Sequence, residues 1–395
     1  MQNLGAAIWR KEAFYVCSSK KQKWGWIRGR WRFPMKVSVA LPRETGTINI
    51  GDLQLESGEI IQEAQLAYER VGSAKNPTIL ICHALTGTQE AVGEKESPGY
   101  WAKLIKPGGY INLDDYQVLS FNVIGGCNGS TGPLSINPKT GKPYQSNFPF
   151  ITVRDMVNAQ YQALHKMKIS HLKAIIGGSL GGMQVLEWGI MYPDKMDALF
   201  PIAVTPFLND YAIAFNTIAR LAIRQDPNWN GGNYSFDTKP EDGLSLARMV
   251  GMVTYRTSEL FSERFGREQR GNNGTSHDEI NYEVESYLDY QGEKLTKRFD
   301  ANSYLYLLRA MDTHDVGRGR GGWKQALLSI KARLHAVTFA GDLLFPTKDL
   351  EDFVYMMKEN KADASLDHVD TQFGHDGFLV EFEKWGHLLK YRLQI

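Results

Sequence analysis

A chain of 395 residues, 43% hydrophobic and 23% charged, has ample length for a large core and an ordinary water-soluble composition. Its longest apolar runs, such as residues 198–204, are far too short to cross a bilayer, and three cysteines (Cys17, Cys82, Cys127) argue against a disulfide framework and for a reducing, cytoplasmic setting. The net charge of +1 hides an asymmetry: residues 1–34 hold eight Lys/Arg against one acidic residue, Glu12, a balance of +7 that leaves −6 on the remainder. An acidic body gives no electrostatic reason to expect nucleic acid as a partner, and no membrane is expected either.

Residues 1–34 also carry four of the nine tryptophans and lack the apolar centre of a secretory signal. They are expected to be a basic extension, disordered or non-native, ahead of a natural start at Met35. From residue 47 onward strand-like and helix-like pieces alternate. Residues 47–55 (TINIGDLQL) and 60–68 (IIQEAQLAY) read as an antiparallel pair around the turn signal Glu56-Ser57-Gly58. Residues 78–83 (TILICH) and 117–123 (QVLSFNV) are short, mostly apolar and bounded by turn residues, as buried strands are. Thr152 followed by Asp155 predicts a capping box opening a helix that places Met156, Tyr161, Leu164 and Met167 near one face. Residues 173–176, 198–204, 334–340 and 365–369 continue the strand series.

Between residues 207 and 323 the rhythm becomes helical and polar, with an exposed loop expected at 271–276 (GNNGTS). The predicted organisation is therefore α/β: residues 35–206 and 324–395 form a core around a mostly parallel sheet, and residues 207–323 form an inserted helical lid.

The chemistry starts at residues 176–188 (IGGSLGGMQVLEW), where Ser179 centres a Gly-x-Ser-x-Gly turn between a strand and a helix. This pattern lifts a serine hydroxyl above the end of a parallel sheet, although five residues alone also suit a glycine-rich structural turn. An acyl-transfer serine needs a base and a group to orient that base, in the chain order Ser, Asp or Glu, His. Asp342 follows the strand 334–340, and His375 follows the strand 365–369, so both are expected at the sheet edge that carries Ser179. His368 falls inside a strand, Asp349 and Asp352 fall on the helix after Asp342, and no HExxH spacing suggests a metal. Oxyanion donors are expected from the amide of Leu180 and from the loop after TILICH, at Leu85.

Several longer motifs now make the pattern specific: CHALTG (82–87), FNVIGGCNGSTGP (121–133), FPFITVRDMVNAQ (148–160), LARMVGMVTYRT (246–257), FDANSYLYLLRAMD (299–312), GDLLFP (341–346) and GHDGFL (374–379). From about residue 47 to its end the chain resembles the homoserine O-acetyltransferases of the α/β-hydrolase superfamily. The resemblance implies a triad of Ser179, Asp342 and His375, with substrate contacts from Thr86, Arg248, Tyr255 and Asp376. It implies acetyl transfer from acetyl-CoA to the hydroxyl of L-homoserine in methionine biosynthesis, no permanently bound cofactor, and a homodimer formed through lid helices. Arg248 would clamp the α-carboxylate and Asp376 would pair with the α-ammonium. Tyr255, seven residues after Arg248, would share its helix face. Gly377 departs from the pattern, where Ala or Ser is commoner. The rival readings are homoserine O-succinyltransferase, serine O-acyltransferase and, more remotely, a carboxylic-ester hydrolase. Arg220 and Arg224 in the lid are either contacts to CoA or a solvated pair.

Overall fold

The computed structural model describes residues 42–235, 237–270 and 282–394. The basic extension and the GNNGTS loop lie outside the described residues. Eight strands form one sheet: β1 (Arg43–Gln54), β2 (Ile60–Val71), β3 (Thr78–Cys82), β4 (Gln117–Phe121), β5 (Leu172–Gly178), β6 (Met196–Ile202), β7 (Arg333–Phe339) and β8 (Ala364–Val369). Their spatial order is β1-β2-β4-β3-β5-β6-β7-β8, in which β2 runs against both neighbours and every later pairing is parallel. The expected α/β architecture with a mostly parallel central sheet is the one observed.

Alternation along the central strands explains why helices cover both faces. Leu80 and Ile175 point into one buried cluster with Met156, Trp188 and Phe353, while Ile79, Ile81, Ala174 and Ile176 point into another with Trp101, Phe378 and Trp385. Each fully buried aliphatic side chain contributes roughly 1.5–3 kcal/mol, so the sheet is fixed from both sides. The first face is covered by α1 (Val153–Lys166), whose N-terminus carries the expected Thr152–Asp155 capping box, and by α2 (Leu180–Met191).

Among the described residues the stretch between β6 and β7 carries α3 (Asp210–Gln225), α4 (Glu241–Thr254), α5 (Ser258–Phe265), α6 (Glu283–Thr296) and α7 (Ala301–Asp312), followed by a single helical turn at Trp323–Ala326. The chain re-enters the core through a buried carboxylate. Glu187 on α2 accepts from Arg154 on α1 at 3.1 Å and from Arg320 at 2.8 Å, and Arg154 also pairs with Glu56 at 3.0 Å. A fully desolvated Glu187 is tolerable only because two guanidinium groups face it. After β7 come α8 (Thr347–Glu359) and, beyond β8, α9 (Phe382–Gln394). Among the described residues no helix is long and apolar enough to cross a membrane.

Register brings the important loops together. Cys82 at the end of β3 pairs with Gly177 on β5, Gly178 pairs with Ile202 on β6, and Phe339 on β7 pairs with Val369 on β8. The carboxyl ends of these five parallel strands therefore open on one edge, the place where ligands bind in open α/β sheets.

Candidate active site

Ser179 sits between β5 and α2 with φ 58° and ψ −124°, a region that non-glycine residues rarely occupy and that costs about 1–3 kcal/mol. Its own amide donates to the Ile202 carbonyl at 3.0 Å, which locks the turn to β6. A side chain at Gly181 would strike the Cys82 carbonyl, so only glycine lets α2 start so close to β3. Below the turn, Gln184, Gln160 and Trp188 satisfy one another: Gln160 donates to Gln184 at 2.7 Å and accepts from the Trp188 indole at 2.8 Å. The serine thus rests on a rigid, fully paired support.

Asp342 follows β7, and its carboxylate is held from two sides. Oδ1 accepts from the amides of Leu344 and Phe345, both at 3.0 Å, and Oδ2 faces Nδ1 of His375 at 2.7 Å. The imidazole is buried, stacked on Phe345 at 5.0 Å, with Phe378 and Tyr255 at its other sides. Burial alone would disfavour its cation, but the charge and hydrogen bond of Asp342 outweigh that, with Asp376 adding to them, and hold His375 above its ordinary pKa. With Nδ1 bonded to Asp342, Nε2 is the nitrogen left for a reacting group.

Leu85, Ser179 and Tyr255 line one small cavity of about 30 Å³, together with Phe215, Tyr304 and Leu344. The amides of Leu85 and Leu180 donate to no acceptor among the described residues. The Leu85 loop is braced by His83, which is buried and contacts the Ala84 carbonyl through Nδ1 at 2.7 Å while Nε2 accepts from the Val123 amide at 3.0 Å. Burial pushes His83 down to about 4, so the ring is neutral and holds β3 to the loop after β4 as a fixed strut. Sequence reasoning named its motif without assigning this residue a role.

The substrate-contact candidates lie around the same cavity. Arg248 on α4 places its guanidinium 5.7 Å from the ring centre of Tyr255, which caps that helix, as the seven-residue spacing predicts. Arg248 has no carboxylate partner among the described residues. Thr86 offers its carbonyl to Arg298 at 2.8 Å. Asp376 is not open as expected: its Oδ2 accepts from Arg256 Nε at 3.0 Å, and its amide donates to the Tyr255 carbonyl. Arg256, Arg298 and the buried Tyr304 were all missed, because nothing in their local sequence sets them apart. Arg256 and Tyr304 do fall within the motifs LARMVGMVTYRT and FDANSYLYLLRAMD, which was the available signal.

The remaining candidates take structural places. His368 contacts Thr338 across β7 and β8, Asp352 pairs with Lys348 on α8, and Arg220 is bound to Asp312. Arg224 stacks over Trp229 at 6.0 Å. Gly377 has its own reason: a side chain there would come within 2.7 Å of the Phe339 ring. Among the described residues no group of three or more His, Cys, Asp or Glu is placed to hold a metal.

Fold and site together define the class, an enzyme of the α/β-hydrolase type, and residues 77–387 match the family model described as alpha/beta hydrolase fold. A homoserine O-acetyltransferase from Symbiobacterium thermophilum is 46% identical over 339 residues, covering 84% of this chain and 88% of that protein. Among solved structures, homoserine O-acetyltransferase from Bacillus anthracis superposes with a TM-score of 0.84 at 25% identity, covering 89% of this chain and 98% of that one. Esterase E22 is almost as similar in shape, with a TM-score of 0.83 at 27% identity over 89% and 100% of the two chains. The chain belongs to the homoserine O-acetyltransferase family.

Proposed function

We propose that this enzyme moves an acetyl group from acetyl-CoA to the hydroxyl of L-homoserine, with Ser179, His375 and Asp342 as its triad. His375 Nε2 takes the Ser179 proton as the serine oxygen attacks the thioester carbonyl, and the Leu85 and Leu180 amides hold the oxyanion. Collapse releases CoA, which takes the proton from His375, and leaves acetyl-Ser179. Homoserine then binds through Arg248 at its carboxylate and Asp376 at its ammonium, with Thr86 and Tyr255 around it. His375 deprotonates its hydroxyl, that oxygen attacks the acetyl carbonyl, the bond to Ser179 Oγ breaks as Oγ takes the proton back from His375, and O-acetylhomoserine leaves. The half-reactions are separate, so the kinetics are ping-pong. In the cell this activates homoserine for methionine synthesis.

The observation that carries this reading is Arg248, a guanidinium without a carboxylate partner, stacked on the aromatic wall of the serine cavity. Water as acceptor has no use for it, whereas an amino-acid carboxylate does. Esterase E22 has nearly the same shape, so the fold alone does not decide between transfer and hydrolysis. The cavity of about 30 Å³, walled by Leu85, Phe215 and Leu344, supports acetyl over succinyl, whose extra carboxylate would meet apolar side chains.

The inserted helices act as a lid and as a dimer surface. Tyr211, Ile218 and Leu221 on α3, Leu246 and Val253 on α4, and Tyr290 on α6 are large apolar side chains left exposed, a pattern that suits burial against a second copy. A cytoplasmic location follows from the cysteine usage and the CoA donor.

The test is a matrix of acetyl-CoA or succinyl-CoA against homoserine, serine or no acceptor, read by thiol release and product mass. Acetyl-CoA with homoserine should exceed every other pair. Thiol release that ignores the acceptor would overturn transfer in favour of hydrolysis.

A further inference from the structure

A cavity of about 30 Å³ at Ser179 has no room for the phosphate-bearing part of a thioester donor, so that part must lie elsewhere. A second cavity, of about 390 Å³, lies beside it. Its walls come from the loop after β4 (Cys127, Gln145), the approach to α4 (Tyr234, Lys239) and the junction of α6 and α7 (Lys297, Arg298). The volume falls in the range of small-molecule sites.

The walls are tied in advance of any ligand. The Gln145 side-chain amide donates to the Tyr234 carbonyl at 2.6 Å, the Tyr234 hydroxyl donates to Asp300 at 2.6 Å, and the Asn302 amide donates to that hydroxyl at 3.0 Å. Asp300 faces its other oxygen to the Ser303 amide at the start of α7, at 2.8 Å, so its charge is spent inside the wall. The wall also carries Glu241, so three cations stand against two carboxylates.

Arg298 joins the two cavities. Its guanidinium donates to the Thr86 carbonyl at 2.8 Å, one residue from Leu85 in the serine cavity. The residue is exposed although this end is held at the Thr86 carbonyl, and no carboxylate partner faces it among the described residues. Burial of that end, and then the nearby Arg248, lower its affinity for its proton. Two neighbouring guanidinium groups without carboxylates call for two anions, and a transferase that joins a phosphorylated thioester to an amino acid brings two. Lys297 is exposed, and its carboxylate neighbour among the described residues, Glu293, is 3.9 Å away.

We propose that the 390 Å³ cavity receives the phosphate-bearing part of the thioester donor, with Arg298 and Lys297 taking phosphate oxygens while Arg248 is kept for the acceptor carboxylate. The inference rests on the acetyl-transfer reading above. The donor's thiol arm then enters past Thr86 toward Ser179. Because the two anions meet different cations, donor and acceptor affinities are separable by substitution.

Steady-state kinetics with acetyl-CoA and with acetyl-pantetheine, which lacks phosphate, tests this in the full chain carrying Lys297→Glu or Arg298→Gln. The KM for acetyl-CoA should rise about fivefold for Lys297→Glu and about tenfold for Arg298→Gln, and its dependence on salt should flatten. The KM for homoserine and the Lys297→Glu rate with acetyl-pantetheine should stay at wild-type values. An equal penalty on both donors, or a change in homoserine KM with donor KM unchanged, would overturn the assignment. Lys297→Glu serves as the control for Arg298→Gln, because its exposed side chain does not touch the Thr86 loop. Wild-type enzyme that ignores acetyl-CoA would instead remove the donor reading itself, and variants that keep the wild-type acetyl-CoA KM would remove only this pocket.

Discussion

The sheet edge and the helical insertion treat charge in opposite ways. At the sheet edge the proposed triad acid and the support under the serine are matched within the protein: Asp342 is held by two amides and an imidazole, and Gln160, Gln184 and Trp188 close on one another. In the insertion, Arg248 and Arg298 have no carboxylate partner among the described residues, and large apolar side chains face solvent. The proposed triad is finished before substrate arrives, whereas the two cations assigned to recognition, like the Leu85 and Leu180 amides, are left for a ligand to complete. Preorganised dipoles cost no reorganisation during reaction, whereas an unmatched cation gives its attraction only to a bound anion.

Substitutions on the two sides should therefore fail differently. At the sheet edge, Ser179→Ala should lower kcat at least 10³-fold, measured as thiol release with homoserine saturating. Asp342→Asn should lower it by about 10³–10⁴-fold, because the imidazole loses the partner that orients it and stabilises its cation. On the insertion side, Arg248→Gln should raise the homoserine KM by roughly 10²-fold while leaving the acetylation half-reaction close to wild type. Loss of acetylation in Arg248→Gln would erase the distinction between the two regions.

pH gives the next effect in size. As the proposed base, His375 works only when neutral, and Asp342 holds its pKa above the ordinary value, so kcat/KM should fall as pH drops through a value above that of a free imidazole. Arg256→Gln should have the smallest effect and should sharpen the comparison most. It frees Asp376, whose charge favours the His375 cation, so the acid limb should move upward while homoserine KM changes only severalfold. An unmoved limb would mean that Arg256 does not temper Asp376.

How much of this could be read in the chain depended on distance along it. Strands β3 to β7 are short, largely buried runs bounded by turn residues, β8 is a half-buried edge strand, and each lies within a few residues of its expected place. β1 begins four residues before its expected start, because Arg43 and Glu44 pair with β2 but show no apolar alternation. The closing helix α9 went unnoticed, although its buried face (Phe382, Trp385, Leu389, Leu393) has helical spacing. The elbow, the Asp342 turn and the His375 turn are local signals, because each is a glycine-flanked residue after a strand. Pairings such as Arg256 with Asp376, or Arg298 with Thr86, join residues more than a hundred positions apart. No local pattern encodes them, and they became visible only when β8 and the insertion met.

The most direct measurement mixes the protein with acetyl-CoA in the absence of homoserine and follows thiol release and intact mass together. The expected result is a burst of one thiol per chain, an acetyl group that peptide mapping places on Ser179, and its removal as O-acetylhomoserine when homoserine is added. No adduct, an adduct on another residue, or decay at the same rate with and without homoserine would contradict an acetyl-serine intermediate reserved for an amino-acid acceptor.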